Sequence, residues 1–276
     1  AEQVHIVAGV EHMQHQPMDA DVDLNPRLFA RTSKGAMLMG VTAEFLAQTQ
    51  GISREEQDRF ALQSHQRAIA AQDAGEFTRE IVPVYGRDEA GQRVLVTADQ
   101  CVRRDSNAAA LAELKPVFMP GLGTVTAGNS SPLNDGAAAL LVMSADRAKE
   151  LGLKPLAKVR ATAVAGVDPC VMGTGPVPAT TLALKRAGLT LADIDLVELN
   201  EAFAAQALAC VRMLGLDEAK VNVRGGAIAL GHPLGASGAR IATTLLHAML
   251  DRNATLGLAT MCIGGGQGIA TVLERV

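Results

Sequence analysis

The sequence predicts a layered α/β fold, and three observations carry that prediction. From Gly123 onward, short runs of Val, Leu and Ala alternate with helical patterns across brief connections, as in stacked layers of strands and helices. Ile241, Leu245 and Met249 recur at helical spacing, which marks an amphipathic helix. Polar and glycine-rich segments fall between these elements, where loops at the carboxyl ends of strands converge on a shared site.

In order, Val4 to Val10 reads as a strand, and residues 12 to 50 as irregular, with a helical pattern emerging near Thr42–Leu46. Ser53-Arg54-Glu55-Glu56 is a capping box, and the helix it opens runs to Gly75, a residue suited to a left-handed C-terminal stop. The sparse large apolar residues of that helix, Phe60, Leu62 and Ile69, predict a surface helix. Ile81–Val84 reads as a short strand and 86–107 as a charged, solvated loop or lid. The second region begins near residue 121. Its predicted strands are 137–143 (buried in character), 155–166, 194–199, 255–263 and 268–275, and its predicted helices are 145–151, 179–188, 202–214 and 239–250. The expected division is therefore 1–120, irregular and partly helical, and 121–276, the α/β region.

Composition narrows the function. An apolar share of 48% supplies a sizeable core, while aromatics are scarce, with no Trp, one Tyr and six Phe. A net charge of −4 without a basic block argues against nucleic-acid binding. The four cysteines, Cys101, Cys170, Cys210 and Cys262, form no C-x-x-C pair, so neither a zinc site nor a disulfide framework is predicted. A reducing, cytoplasmic setting fits. No run is long and apolar enough to predict a membrane span, and no secretory signal is legible.

Four loops of the second region, 129–135, 200–203, 231–238 and 262–268, are the places where chemistry is expected. In Met261-Cys262-Ile263-Gly264-Gly265-Gly266-Gln267-Gly268 a thiol adjoins nearly side-chain-free backbone, whose N–H groups suit an oxyanion hole. Cys262 there is a nucleophile, a proton carrier or an ordinary core thiol. His232 lies among Gly225, Gly226, Gly231, Gly235 and Gly238, without the spacing of a dinucleotide fingerprint or a P-loop. Asn200 follows a strand and opens a helix; it is either the N-cap, with Glu201 complementing the helix dipole, or an amide holding a water or polar group beside His232. Met37-Leu38-Met39-Gly40 is core packing or a soft wall for a flexible thioester arm. No G-x-S-x-G supports a hydrolase serine.

Taken together, NEAFAAQ at 200–206, GGAIALGHPLGASGAR at 225–240 and CIGGGQG at 262–268 resemble the thiolase family. GVEHM at 9–13, VTAGNSSPLNDGAAA at 125–139 and DPCVMGTGPVPA at 168–179 match as well, so the resemblance covers essentially the whole chain. The start and the tail look most like the degradative 3-ketoacyl-CoA thiolase branch of bacterial fatty-acid oxidation.

The resemblance implies a layered αβαβα fold and thiolytic cleavage of 3-ketoacyl-CoA by CoA, giving acetyl-CoA and a shortened acyl-CoA. CoA is then a co-substrate, and neither a metal nor a resident cofactor is implied. His232 resembles the base that activates the nucleophilic cysteine, and Cys262 the second cysteine, which moves protons to and from acetyl-CoA. Asn200 resembles the residue that orients an oxyanion-hole water with His232, and the N–H of Gly264 part of the other hole. Ser131, Met39, Phe118, Phe203 and Met172 resemble walls of the acyl and pantetheine channel. A homodimer and association with the multifunctional α subunit of a fatty-acid oxidation complex are implied as partners.

In the family the acyl-accepting cysteine lies upstream of the segment matching Ala1–Gly9. The expectation is thus a thiolase with its N-terminal half truncated, inactive alone for lack of that nucleophile. On this reading 1–120 is a remnant strand plus the inserted loop domain, and 121–276 holds the last strands of the N-terminal half and the complete C-terminal half. The alternative is a non-catalytic acyl-CoA-binding or assembly protein derived from a thiolase. An acyl-CoA hydrolase using His232 and a water is a third possibility.

Overall fold

The computed structural model describes residues 4–15, 18, 25–30, 32–88 and 90–276. Part of the irregular stretch expected over 12–50, and the first three residues, lie outside them. In chain order the strands are β1 (Val4–Glu11), β2 (Val84–Arg87), β3 (Arg93–Val96), β4 (Gly136–Met143), β5 (Ala157–Gly166), β6 (Leu196–Leu199), β7 (Leu256–Ile263) and β8 (Gln267–Arg275). The helices are α1 (Met39–Thr49), α2 (Arg54–Asp73), α3 (Ala108–Ala112), α4 (Ala145–Glu150), α5 (Pro176–Ala187), α6 (Ala204–Leu214), α7 (Ala227–Leu230) and α8 (Ser237–Asp251).

The main sheet has the order β5-β8-β7-β6, with β6 parallel to β7 and the other pairs antiparallel. Alternate residues of its strands face opposite layers. Val197, Leu258, Ala270 and Val272 pack on α5 and α6, and Leu196, Ala259 and Leu273 pack on Ile241, Leu245, Ala248 and Met249 of α8. The spacing of those α8 residues is the helical pattern of the sequence put to use. On its far side α8 meets the antiparallel ribbon of β1 and β4. The described residues therefore stack as helix, sheet, helix, sheet, the expected layered α/β arrangement.

The Ser53 capping box forms as read, with the Ser53 hydroxyl accepting from the Glu56 N–H and the Glu56 carboxylate from the Ser53 N–H. The surface-helix expectation for α2 is overturned: Gln57, Asp58, Phe60, Ala61, Ser64, His65, Ala68 and Ala71 are all buried. Small residues let that face approach α6 and α7 closely, so its burial does not require large apolar side chains. The strand expected at Ile81–Val84 begins only at Val84, since the Pro83 ring has no N–H for a ladder. It pairs with β3 inside the segment read as a loop. β4 occupies the predicted place but is not buried, with Leu141 and Val142 exposed. The 167–178 loop contains a short 3-10 turn (Pro169–Thr174) and the first turn of α5.

Candidate active site

The strand β6 and the extended residue Phe203 bracket Asn200 and Glu201, and both residues of this short connection are buried. The Asn200 N–H continues the β6–β7 ladder by donating to the Thr260 carbonyl at 3.0 Å. Across it, residues 129–131 add a short antiparallel pairing: the Ala204 N–H donates to the Asn129 carbonyl at 2.9 Å and the Ser131 N–H to the Ala202 carbonyl at 3.0 Å. Two of the motif segments are thereby joined by backbone hydrogen bonds.

Asn200 is fully buried and is not a helix cap. The N-cap of α6 is Phe203, and the Asn200 amide instead donates to His232 Nε2 at 3.3 Å. Its Oδ1 is a buried acceptor with no partner among the described residues. Glu201 likewise does not serve the start of α6; its carboxylate is held by Ser64, Asn222 and the Ile228 N–H.

His232 is fixed from three sides. Its backbone N–H donates to Asn134 Oδ1 at 2.8 Å, and its Nδ1 lies 2.6 Å from the Ser237 hydroxyl. Ser237 has one hydroxyl proton, which it gives to the Pro233 carbonyl at 2.9 Å. The same oxygen therefore accepts from His232 Nδ1–H. That fixes the tautomer: Nδ1 carries the proton, and Nε2 presents a lone pair toward Asn200. Burial, aided by the Arg240 guanidinium, pushes the His232 pKa down to about 4, so the ring is a neutral base at pH 7.

Cys262 lies near the end of β7, opposite Gly268 of β8, and burial pushes its thiol up to about 11. It is therefore a protonated thiol at rest. The turn that follows takes Gly265 and Gly266 to φ +82° and +94°, a region L side chains rarely enter. Gly264 is exposed, and a Cβ built on it would meet nothing within 4 Å.

Of the residues expected to line an acyl and pantetheine channel, Phe118 and Phe203 meet edge to face with centroids 5.9 Å apart. Ser131 adjoins Phe203 through the 129–131 pairing, its hydroxyl donating to the Ala202 carbonyl at 3.1 Å. Met39 is half-buried at the start of α1, while Met172 is buried in the 169–174 turn that packs on α1. Sequence reasoning did not single out Asn134 and Ser237 as partners of His232. Both sit inside motifs it quoted, SPLND and GASGAR, and a hydroxyl five residues after a histidine was the available signal. A cavity of about 520 Å³, also not foreseen, is lined by His65, Arg103, Leu111, Ser130, Pro132 and Ile228 among others.

This chain belongs to the thiolase family. The family profiles described as "Thiolase, N-terminal domain" and "Thiolase, C-terminal domain" match residues 1–146 and 153–275. It is 59% identical over 276 residues to the 3-ketoacyl-CoA thiolase of a Marinomonas species and 60% identical to that of Aeromonas hydrophila, covering 99% of this chain and 71% of each relative. Among solved structures, human mitochondrial 3-ketoacyl-CoA thiolase superposes with a TM-score of 0.90 at 44% identity, covering 99% of this chain and 72% of that one. Bacillus anthracis acetyl-CoA acetyltransferase gives 0.89 at 41% identity, covering 100% of this chain and 72% of that one. The human enzyme in complex with CoA gives 0.88 at 44% identity, covering 99% and 71%.

Proposed function

We propose that the site described above serves the thiolytic cleavage of 3-ketoacyl-CoA by CoA in fatty-acid β-oxidation, with CoA as co-substrate and no resident cofactor. The observation that carries this reading is the neutral His232, locked with Nε2 free of its proton and facing Asn200. In the first half-reaction a cysteine other than Cys262 gives its proton to His232 Nε2 and attacks the keto carbon. The bond between the keto carbon and the α-carbon breaks, its electrons pass to the α-carbon, and the Cys262 thiol donates the proton that completes acetyl-CoA. In the second half-reaction the Cys262 thiolate takes the proton of the CoA thiol, the CoA sulfur attacks the cysteine thioester, and the departing cysteine sulfur recovers its proton from His232 Nε2. Asn200 and His232 serve one oxyanion and the Gly264 N–H another.

The cavity beside Ser130 and Ile228 suits the CoA arm, with Arg103 on its lining to face a phosphate. The same reading makes the protein a homodimer in the cytoplasm, associated with a multifunctional α subunit; sedimentation of the purified protein with and without that subunit tests the assembly. Among the described residues no helix is long and apolar enough to cross a membrane. The test of the chemistry is Cys262→Ser in the active enzyme. Carbon–carbon cleavage should fall by about 10²- to 10⁴-fold, while exchange of labelled CoA into acyl-CoA survives. Retention of cleavage within a factor of a few would return Cys262 to the core.

A further inference from the structure

We infer that Glu201 is a positioning residue for His232, acting from the opposite end of the segment that carries the imidazole. Glu201 is buried, and its carboxylate is surrounded by donors. Oε2 accepts from the Ser64 hydroxyl at 2.7 Å and the Ile228 N–H at 3.1 Å, and Oε1 accepts from the Asn222 amide at 2.7 Å. The Ser64 hydroxyl in turn accepts from the Gly226 N–H at 3.0 Å. A Cβ on Gly226 would lie 2.2 Å from the Glu201 carboxyl carbon, so the carboxylate packs directly on the glycine backbone, in space a side chain at 226 would fill. From Gly226 the chain makes the single turn of α7 and arrives at His232 six residues later. The adjacent residues Asn200 and Glu201 thus hold both ends of one segment, the imidazole by the amide and the start by the carboxylate. Asn222 secures the dipeptide itself, donating to the Leu199 carbonyl at 2.8 Å and accepting from its N–H at 2.9 Å. A carboxylate matched to three donors is hard to replace, because any neutral substitute leaves a buried group without a partner.

The consequence is a readout in His232 rather than in Glu201. In Glu201→Gln the amide brings two donors into a cluster of donors, so the 226–228 backbone must give way. The imidazole then loses its fixed placement against Asn200 and Ser237. The Arg240 guanidinium acts on both Glu201 and His232, and the buried Glu198, which burial keeps protonated, lies close enough to couple to Glu201; both remain. The inference rests on His232 being the base, but the ring is observed without substrate, so it fails independently of the proposed reaction. Ring-nitrogen NMR of the ¹⁵N-histidine-labelled chain, with His232 assigned by His232→Asn, follows tautomer and titration together. Wild type should show one Nδ1–H tautomer; Glu201→Gln should show mixed tautomers and a titration midpoint raised by about one pH unit or more. Should Glu201→Gln not fold, Ser64→Ala, which removes one donor and one acceptor without altering charge, decides the matter in the same direction. A His232 spectrum and titration superimposable on wild type in whichever variant folds would overturn the proposal.

Discussion

Cys262 is half-buried, yet its surroundings hold the thiol protonated, so an alkylating reagent should find it slow. Burial raises its pKa from 9.0 to about 11. At pH 8 an unperturbed thiol of that kind is about 10% thiolate, whereas Cys262 is about 0.1%, so its alkylation should be about 100-fold slower from ionisation alone. The side chain is only half-buried, so access for the reagent is not the limit, and any shielding scales the rate without altering the shape of its pH dependence. The assay is iodoacetamide modification of the Cys262 peptide followed by mass spectrometry between pH 7 and 10.5, with the same peptide in denaturant as the reference. The logarithm of the rate should climb steadily across the whole range in the folded protein and level off near pH 9 in denaturant. A folded-state plateau below pH 9 would show that Cys262 is poised as a thiolate, and the proton-carrier role would be refuted. Acetoacetyl-CoA adds a second reading, since a stoichiometric acyl adduct on Cys262 would make it the nucleophile.

Ser237→Ala leaves the His232 Nδ1–H without an acceptor and should cost about 1–3 kcal/mol in urea unfolding; an unchanged midpoint would mean that this hydrogen bond contributes nothing. Burial raises Glu198 to about 8 and Glu80 to about 7, so both hold a proton in the folded chain that they lose on unfolding above pH 4.5. Their contribution to stability is therefore full below about pH 4.5 and falls as pH rises toward 8. Glu198→Gln should flatten that fall, and a slope unchanged by the substitution would contradict the assignment. The depressed His232 has the opposite sense, since its unfolded form gains a proton first as pH falls from 6.5 toward 4, so it destabilises the fold on acidification.

Where the sequence was legible, the signal was local. The Ser53 capping box, the strands of the main sheet and the apolar stripe of α8 each depend on residues within a turn or two of one another. The segments meeting at the site were also legible as glycine-rich or polar loops between elements. What escaped was what tertiary contact decides. Asn200 has the composition of an N-cap, but its side chain is claimed by a histidine 32 residues on. Alanine and serine on α2 gave no sign of burial because small residues mark close approach only when the facing surface is known. Asn222 adopts φ +46° and pairs with Leu199 in the manner of a strand neighbour, an arrangement no spacing in the sequence encodes.

The central claim is that His232 and Asn200 form a binding site for a CoA thioester. Loss of one oxyanion donor costs about 3 kcal/mol of transition-state stabilisation, while ground-state binding of the thioester falls less. Calorimetric titration of the folded chain with acetyl-CoA tests this directly. The account predicts measurable heat that weakens in Asn200→Ala and in His232→Ala. A folded chain that gives no heat, or one whose affinity is the same in both variants as in wild type, would contradict it.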